Sequence, residues 1–140
     1  MREVRYRSWD KINRRWLDAF QLDLGADGSV FAVETIDGEM YGLHQVDLVQ
    51  YTGLKDKNGK GDKTYHKDIL KVGEGYVGDR RKKGGNFLIE WGEDGWIVVD
   101  GKGEYLCDLW KAIYNRNAIV IGNIYEHSYL LDKKTGAKSK

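Results

Sequence analysis

Glycine must supply most of the chain reversals in this protein, because its 140 residues include 18 glycines and no proline. Between the glycines lie short runs in which apolar and polar residues alternate, the pattern of a half-buried strand. The clearest turn is Asp37-Gly38, which predicts a hairpin between residues 30–35 and 39–43. The sequence therefore predicts a mainly β fold built from antiparallel hairpins.

A polar stretch divides this pattern into two β regions. Residues 55–63 are rich in lysine, aspartate and glycine, a composition typical of an exposed loop. We expect an N-terminal β-hairpin region over residues 1–54 and a C-terminal β region over residues 64–132, either as separate parts or as one continuous domain. The lysine-rich residues 133–140 are expected to form a flexible basic tail.

One segment, near residues 104–115, has clear helical periodicity. Its apolar residues at i, i+3, i+4 and i+7 are Leu106, Leu109, Trp110 and Ile113. We expect one short helix here, packed across the sheet.

Two tryptophans flank the turn at residues 93–95, between strand candidates at residues 87–91 and 96–99. For a two-residue or a four-residue loop, Trp91 and Trp96 lie on the same face, because cross-strand partners share a face. We therefore expect an aromatic cluster at this hairpin.

Charge and cysteine content exclude several classes of protein. The chain has 23 Lys and Arg against 22 Asp and Glu, so its net charge of +1 indicates no particular partner. Cys107 is the only cysteine, which excludes an intrachain disulfide and a multi-cysteine metal site and fits a reducing cytoplasm. No run approaches the roughly 18 apolar residues of a membrane span, so we expect neither export nor membrane insertion.

Three segments resemble the YopX family of phage and prophage proteins. They are residues 4–11 (VRYRSWDK), 48–60 (LVQYTGLKDKNGK) and 120–126 (VIGNIYE), which occur in family order and span almost the whole chain. The resemblance implies a mainly β fold with a small, SH3-sized C-terminal β-barrel, and an origin in a phage or an integrated prophage. It implies no established activity.

The chain departs from the family pattern at two places. Lys67, Asp68 and Ile69 stand where the family usually has Gly-Asp-Ile, so we expect that a backbone conformation available only to glycine is not required here. Residues 127–129 replace the usual proline-containing turn. Both changes affect the expected local geometry more than the expected fold.

The glycines at residues 73, 75 and 78 imitate a dinucleotide-binding fingerprint, G-x-G-x-x-G after an apolar strand. The context does not fit, because residues 79–85 are charged and end in two glycines. No helix N-terminus is therefore available to bind a pyrophosphate. We expect a flexible β-loop and no cofactor.

Candidate catalytic and metal-ligating side chains show no interpretable spacing. The candidates are His44, His66, His127, Cys107, Asp94, Asp100, Glu104 and Asp108. The histidines lack a second histidine at i+3 or i+4, and the acids suit a turn and the first half of a helix. We therefore expect no metal site, and an enzyme is the least favoured class.

The strongest functional signal is a run of four basic residues. They are Arg80, Arg81, Lys82 and Lys83. On a loop beside the face that includes Trp91 and Trp96, these cations can bind phosphates while a ring stacks on a base. The sequence thus favours a nucleic-acid-binding module.

Two other interpretations stay open. A solvated loop over a tryptophan core explains the same residues, because clustered tryptophans usually supply buried area first. Alternatively, a host or phage protein, or a second copy of this chain in a homo-oligomer, binds an exposed β-edge or the aromatic surface.

Overall fold

The computed structural model describes residues 5–17, 19–57, 61–77 and 79–131. They form two compact units, of which the first extends to Tyr51 and the second begins at Thr52. The expected tail, residues 133–140, and part of the expected boundary loop, residues 58–60, lie outside the described residues. The division into separate domains stays a prediction.

The first unit is built from antiparallel strands. They are β1 (Tyr6–Asp10), β2 (Arg15–Leu17), β3 (Ala19–Leu24), β4 (Val30–Thr35), β5 (Met40–Gly42) and β6 (Val46–Lys55), the last of which continues into the second unit. Strand β1 pairs with β2 and β6, and β4 pairs with β3 and β5. The β4–β5 turn contains Asp37-Gly38, and Gly38 has a φ of 91°. The predicted hairpin is confirmed.

The second unit is also mainly β. After β6, its elements are β7 (Lys63–Tyr65), β8 (Asp68–Val72), β9 (Gly75–Val77), β10 (Arg80–Lys82), β11 (Gly85–Trp91), β12 (Trp96–Val99), β13 (Tyr105–Asp108), α1 (Leu109–Arg116), β14 (Ile119–Asn123), α2 (Ile124–His127) and a 3₁₀ helix (Ser128–Leu131). Strands β13, β12, β11, β8 and β14 form, in that order, an antiparallel sheet. The antiparallel sheets of the fold are curled, and a half-barrel is present. The predicted mainly β fold with antiparallel hairpins and a short helix is confirmed.

Both faces of the five-stranded sheet bury apolar side chains. On one face, Leu70, Ile89 and Val98 pack with Leu109 and Ile113 of α1, and all five side chains are fully buried. The other face is covered by α2 and the 3₁₀ helix. Burying each Leu or Ile contributes roughly 1.5–3 kcal/mol, so these contacts hold α1 on the sheet. Within the described ranges, neither helix has the length and apolar character that a bilayer span requires.

Helix α1 begins later than predicted, because residues 105–108 form β13. In that strand Cys107 pairs with Val98 of β12. Pairing with β12 satisfies these backbone groups in an extended conformation and overrides the helical spacing that includes Leu106. Trp110, which the periodicity assigned to the apolar stripe, is 47% exposed.

A side-chain cap marks the end of the final strand and the start of the helix that follows it. Strand β14 stops at Asn123, and Ile124 and Tyr125 begin α2. The side-chain oxygen of Asn123 accepts hydrogen bonds from the N–H groups of Tyr125 at 3.0 Å and Glu126 at 2.9 Å. This N-cap converts apolar residues that would suit a strand into the first turn of a helix.

Lys67 adopts a left-handed backbone, with a φ of 73°. Its N–H donates to the carbonyl of Ile89 at 3.0 Å, and its carbonyl accepts from the N–H of Ile124 at 2.9 Å. These two contacts impose a conformation that costs a residue with a Cβ about 1–2 kcal/mol. The expectation that residue 67 does not require a glycine-type conformation is therefore wrong.

Glu90 forms hydrogen bonds with the side chains of two residues in the same turn, His66 and Lys67. It accepts a hydrogen bond from Lys67 Nζ at 2.7 Å, and its other oxygen lies 2.8 Å from His66 Nε2. Burial raises the pKa of Glu90, but the hydrogen bonds from Lys67 and His66 outweigh it and hold the pKa below its ordinary value. The ion pair offsets part of the backbone cost at Lys67.

We expect Lys67→Gly to be more stable than Lys67→Ala. Both variants lose the ion pair with Glu90, but only glycine adopts a positive φ without a steric cost. The free energy of unfolding, measured with urea, should be about 1 kcal/mol higher for Lys67→Gly than for Lys67→Ala. In an ordinary strand or helix the order is reversed, so a more stable alanine variant would contradict the left-handed backbone.

We expect acid to remove the contribution of Glu90 to stability. Because its folded-state pKa is lowered, the ionised carboxylate stabilises the fold above the unfolded value of about 4.3. This contribution is lost as the pH falls through the folded-state pKa. Urea unfolding of the wild type and Glu90→Gln at pH 6 and pH 3 measures it. The difference in the free energy of unfolding between the wild type and Glu90→Gln should be smaller at pH 3 than at pH 6. An equal difference at both pH values would refute the stabilising role of the Glu90 carboxylate.

Candidate nucleic-acid interface

The basic run forms one strand of a β-hairpin. Strands β9 and β10 pair antiparallel, with Arg80 opposite Val77 and Arg81 opposite Tyr76. The side chains of Arg80, Arg81 and Lys83 are exposed, while that of Lys82 lies outside the described part of the chain. The segment expected to be a flexible loop is thus a hairpin, because backbone pairing satisfies groups that a loop would leave to water. We call residues 73–83, which include both strands and the residues at their base, the basic hairpin.

A buried arginine anchors the base of the basic hairpin. Arg116, in the last turn of α1, is only 8% exposed. Its Nε donates to the carbonyl of Gly73 at 2.8 Å, and its Nη2 donates to the carbonyl of Lys83 at 2.9 Å. The N–H of Gly73 in turn donates to the Arg116 carbonyl at 2.8 Å. One side chain therefore joins the helix to both ends of the hairpin.

The same arginine explains the glycines that imitate a dinucleotide fingerprint. A Cβ on Gly73 would lie 2.8 Å from the Arg116 carbonyl oxygen, and a Cβ on Gly75 would lie 2.9 Å from Arg116 Nε. Both distances are too short for carbon. Gly78, the third glycine of the pattern, lies outside the described residues. Glycine at residues 73 and 75 therefore allows the backbone to lie close to Arg116.

The exposed cations of the hairpin differ in their surroundings. Arg81 is paired with Glu74, with Nε 2.9 Å from the carboxylate oxygen. Within the described ranges, no acidic side chain lies within ion-pair distance of Arg80 or Lys83. Residues 73–86 contain four basic and two acidic residues. Among the hairpin cations whose side chains are described, Arg80 and Lys83 are therefore the ones most available to an anion.

The two predicted tryptophans form the expected same-face pair. Trp91 lies opposite Trp96, and their rings meet edge to face with centroids 4.7 Å apart. Trp96 packs against the core beneath α1 and lies 5.3 Å from the His66 ring, whereas Trp91 is 60% exposed. Trp96 therefore contributes buried area to the core, whereas more than half of Trp91 is exposed to solvent.

The structure does not place this tryptophan pair beside the basic hairpin. Strand β11 begins at Gly85, immediately after the hairpin, and ends at Trp91. Seven residues of extended strand span roughly 20 Å. The cations and the tryptophans thus lie at opposite ends of one strand.

Sequence reasoning missed a second set of exposed aromatic residues, on α1. Trp110 and Tyr114 are 47% and 55% exposed. Lys111 Nζ lies 5.5 Å from the Trp110 ring centroid, and Lys57 Nζ lies 5.4 Å from that of Tyr114. The i, i+4 spacing of the two aromatic residues was visible in the sequence, but Trp110 had been assigned to the buried stripe.

Several of the other candidate residues have structural roles. His127 Nδ1 accepts a hydrogen bond from the N–H of Asn123 at 3.2 Å. Burial raises the pKa of the Cys107 thiol, which disfavours the nucleophilic thiolate. Among the residues that the structure describes, no three His, Cys, Asp or Glu side chains converge as metal ligands. A cleft of about 510 Å³ lies beside Glu90 and Asp100 on the sheet face opposite α1.

Comparisons with known proteins agree with this fold. The structure of protein EF1440 from Enterococcus faecalis is similar with a TM-score of 0.68 and 20% sequence identity, covering 94% of this chain and 100% of that one. At this identity the likeness shows the fold alone. No curated protein matches the chain. The family model described as YopX protein matches residues 5–132, which confirms the resemblance of the three segments. The chain belongs to the YopX family.

Proposed function

We propose that this protein is a non-enzymatic binding module that contacts nucleic acid through the basic hairpin. The observation that supports this most directly is the exposure of Arg80 and Lys83 on a hairpin whose base is anchored by Arg116. Neutralising phosphates releases condensed counterions, and this supplies most of the affinity of a non-specific complex.

Anchoring favours such a role for an energetic reason. A free loop loses conformational entropy when it orders on a ligand, and this loss weakens binding. The paired strands β9 and β10 are ordered already, and Arg116 bonds to backbone at both ends of the hairpin. Cations on such a scaffold bind phosphates with a smaller entropic cost.

The tryptophan pair has a different place in this proposal than the sequence suggested. Trp96 supports the core, and Trp91 lies roughly 20 Å along β11 from the hairpin. A ring at that distance cannot stack on the base whose phosphate Arg80 binds. We therefore assign the phosphate contacts to the hairpin and no base contact to Trp91 or Trp96.

The proposed setting is the cytoplasm of a host cell, as part of a phage or prophage. Family membership supports a phage origin, and the single cysteine suits a reducing compartment.

A second function, protein binding or self-association, is favoured by a different observation in the first unit. Leu24 and Phe31 lie on the paired strands β3 and β4 and are 58% and 54% exposed. Neighbouring exposed apolar side chains on a small sheet are typical of an interaction surface.

We expect the wild type to bind short single- or double-stranded DNA or RNA more weakly as salt is added, measured by fluorescence anisotropy. Arg80→Ala with Lys83→Ala should weaken binding about tenfold. It should also reduce the slope of log K against log salt by about 1.4 on a single strand, because each lost phosphate contact removes about 0.7.

The matched control is Lys11→Ala with Lys102→Ala, which removes the same charge from exposed positions outside the hairpin. Its affinity should stay within about twofold of the wild type. Absence of binding at low salt, or an equal loss in the control, would refute the hairpin as the nucleic-acid site.

If the second function is self-association, we expect the chain to form a dimer through Leu24 and Phe31. Light scattering across a range of concentrations should then show a dimer, and Leu24→Ser with Phe31→Ser should return it to a monomer. A monomeric wild type at every concentration would exclude a homo-oligomer and leave only a different protein as partner.

A further inference from the structure

The outer face of α1 presents two aromatic rings on one side of the helix. Leu109, Ala112 and Ile113 point into the core and are fully buried, whereas Trp110 and Tyr114 are about half exposed. Residues at i and i+4 are neighbours on a helix surface and are separated by about 6 Å of rise. The two rings therefore form a short aromatic row along the helix.

Lysines flank both rings of this row. Lys111 Nζ lies 5.5 Å from the centroid of Trp110, and Lys57 Nζ lies 5.4 Å from that of Tyr114, both within cation–π range. The N–H of Lys57 donates to the carbonyl of Ala118 at 3.1 Å, which fixes this residue near the end of α1. Trp110 and Tyr114 are about half exposed, so part of each side chain is accessible beside its lysine. Each ring thus has a cation beside it for a phosphate.

The C-terminal end of α1 is joined to the base of the basic hairpin. Arg116, two residues after Tyr114, bonds to the backbone at both ends of that hairpin. Along the helix axis, Trp110 is only about 9 Å from Arg116, because each residue rises 1.5 Å. The row therefore lies on the helix that holds the base of the hairpin, whereas the Trp91 pair lies at the far end of β11.

We propose that Trp110 and Tyr114 are a stacking platform for the bases of single-stranded nucleic acid. This rests on the proposed function, since the basic hairpin would hold the phosphates of the same strand while Lys57 and Lys111 bind those beside the rings. Base–aromatic stacking with a cationic track is the usual basis of single-strand binding. A duplex keeps its bases stacked on one another, so the platform discriminates in favour of single strands.

A double variant tests the platform. Trp110→Ala with Tyr114→Ala should weaken binding of a labelled 12-nucleotide oligothymidylate about tenfold or more, because each stacked base contributes a large factor. Binding to a duplex of the same length should be unchanged. The salt slope should also be unchanged, because stacking releases no counterions.

Trp110→Phe with Tyr114→Phe is the matched variant, because it keeps an aromatic ring at both positions while it replaces the indole with a phenyl ring and removes the phenol hydroxyl. It should retain single-strand affinity within a few-fold and fold as the wild type does. Lys57→Ala with Lys111→Ala should weaken single-strand binding and lower the salt slope.

The outcomes separate this inference from the function on which it rests. If the alanine variant binds oligothymidylate as well as the wild type while the hairpin variant does not, the platform is refuted and the hairpin stands. If the alanine and phenylalanine variants lose affinity equally, or duplex binding falls in parallel, stacking is refuted. A wild type that binds no nucleic acid at low salt refutes both proposals and leaves this face to a protein partner.

Discussion

The hydrogen bonds of Arg116 are the interaction on which the second unit's candidate site depends. A guanidinium has five N–H donors in a rigid fork and keeps its charge when buried. Here it bonds to the carbonyls of Gly73 and Lys83, at the two ends of the basic hairpin. Replacing a buried arginine with lysine would not reproduce this geometry, because an ammonium is a compact point charge on a flexible stem.

The two faces of the five-stranded sheet pack against different helices. The face that packs with α1 buries Leu70, Ile89 and Val98, and the opposite face is covered by α2 and the 3₁₀ helix. Because α1 uses one side for this packing, its other side is left in solvent with Trp110 and Tyr114. The helix thus positions the hairpin through its C-terminal arginine and presents aromatic residues through its outer face.

Local sequence patterns predicted the elements whose partners lie close along the chain. Asp37-Gly38 indicated a hairpin, and the spacing of Trp91 and Trp96 indicated a shared face, because a two-strand register depends only on the intervening turn. The start of α1 could not be predicted in this way, since residues 105–108 follow their pairing with β12. Lys67 is similar: the contacts with Ile89 and Ile124, and not its own preference, impose its positive φ.

The sequence by itself determined the mainly β class, the family and the basic run at residues 80–83. These depend on residue type and on spacing within a few positions, which are properties of the chain before it folds. Only the tertiary structure decided how that run is positioned relative to the strands and the helix that present the aromatic residues. It placed Trp91 at the far end of β11 and joined α1, which has Trp110 and Tyr114 on its outer face, to the base of the hairpin through Arg116, because such placements depend on how strands and helices pack.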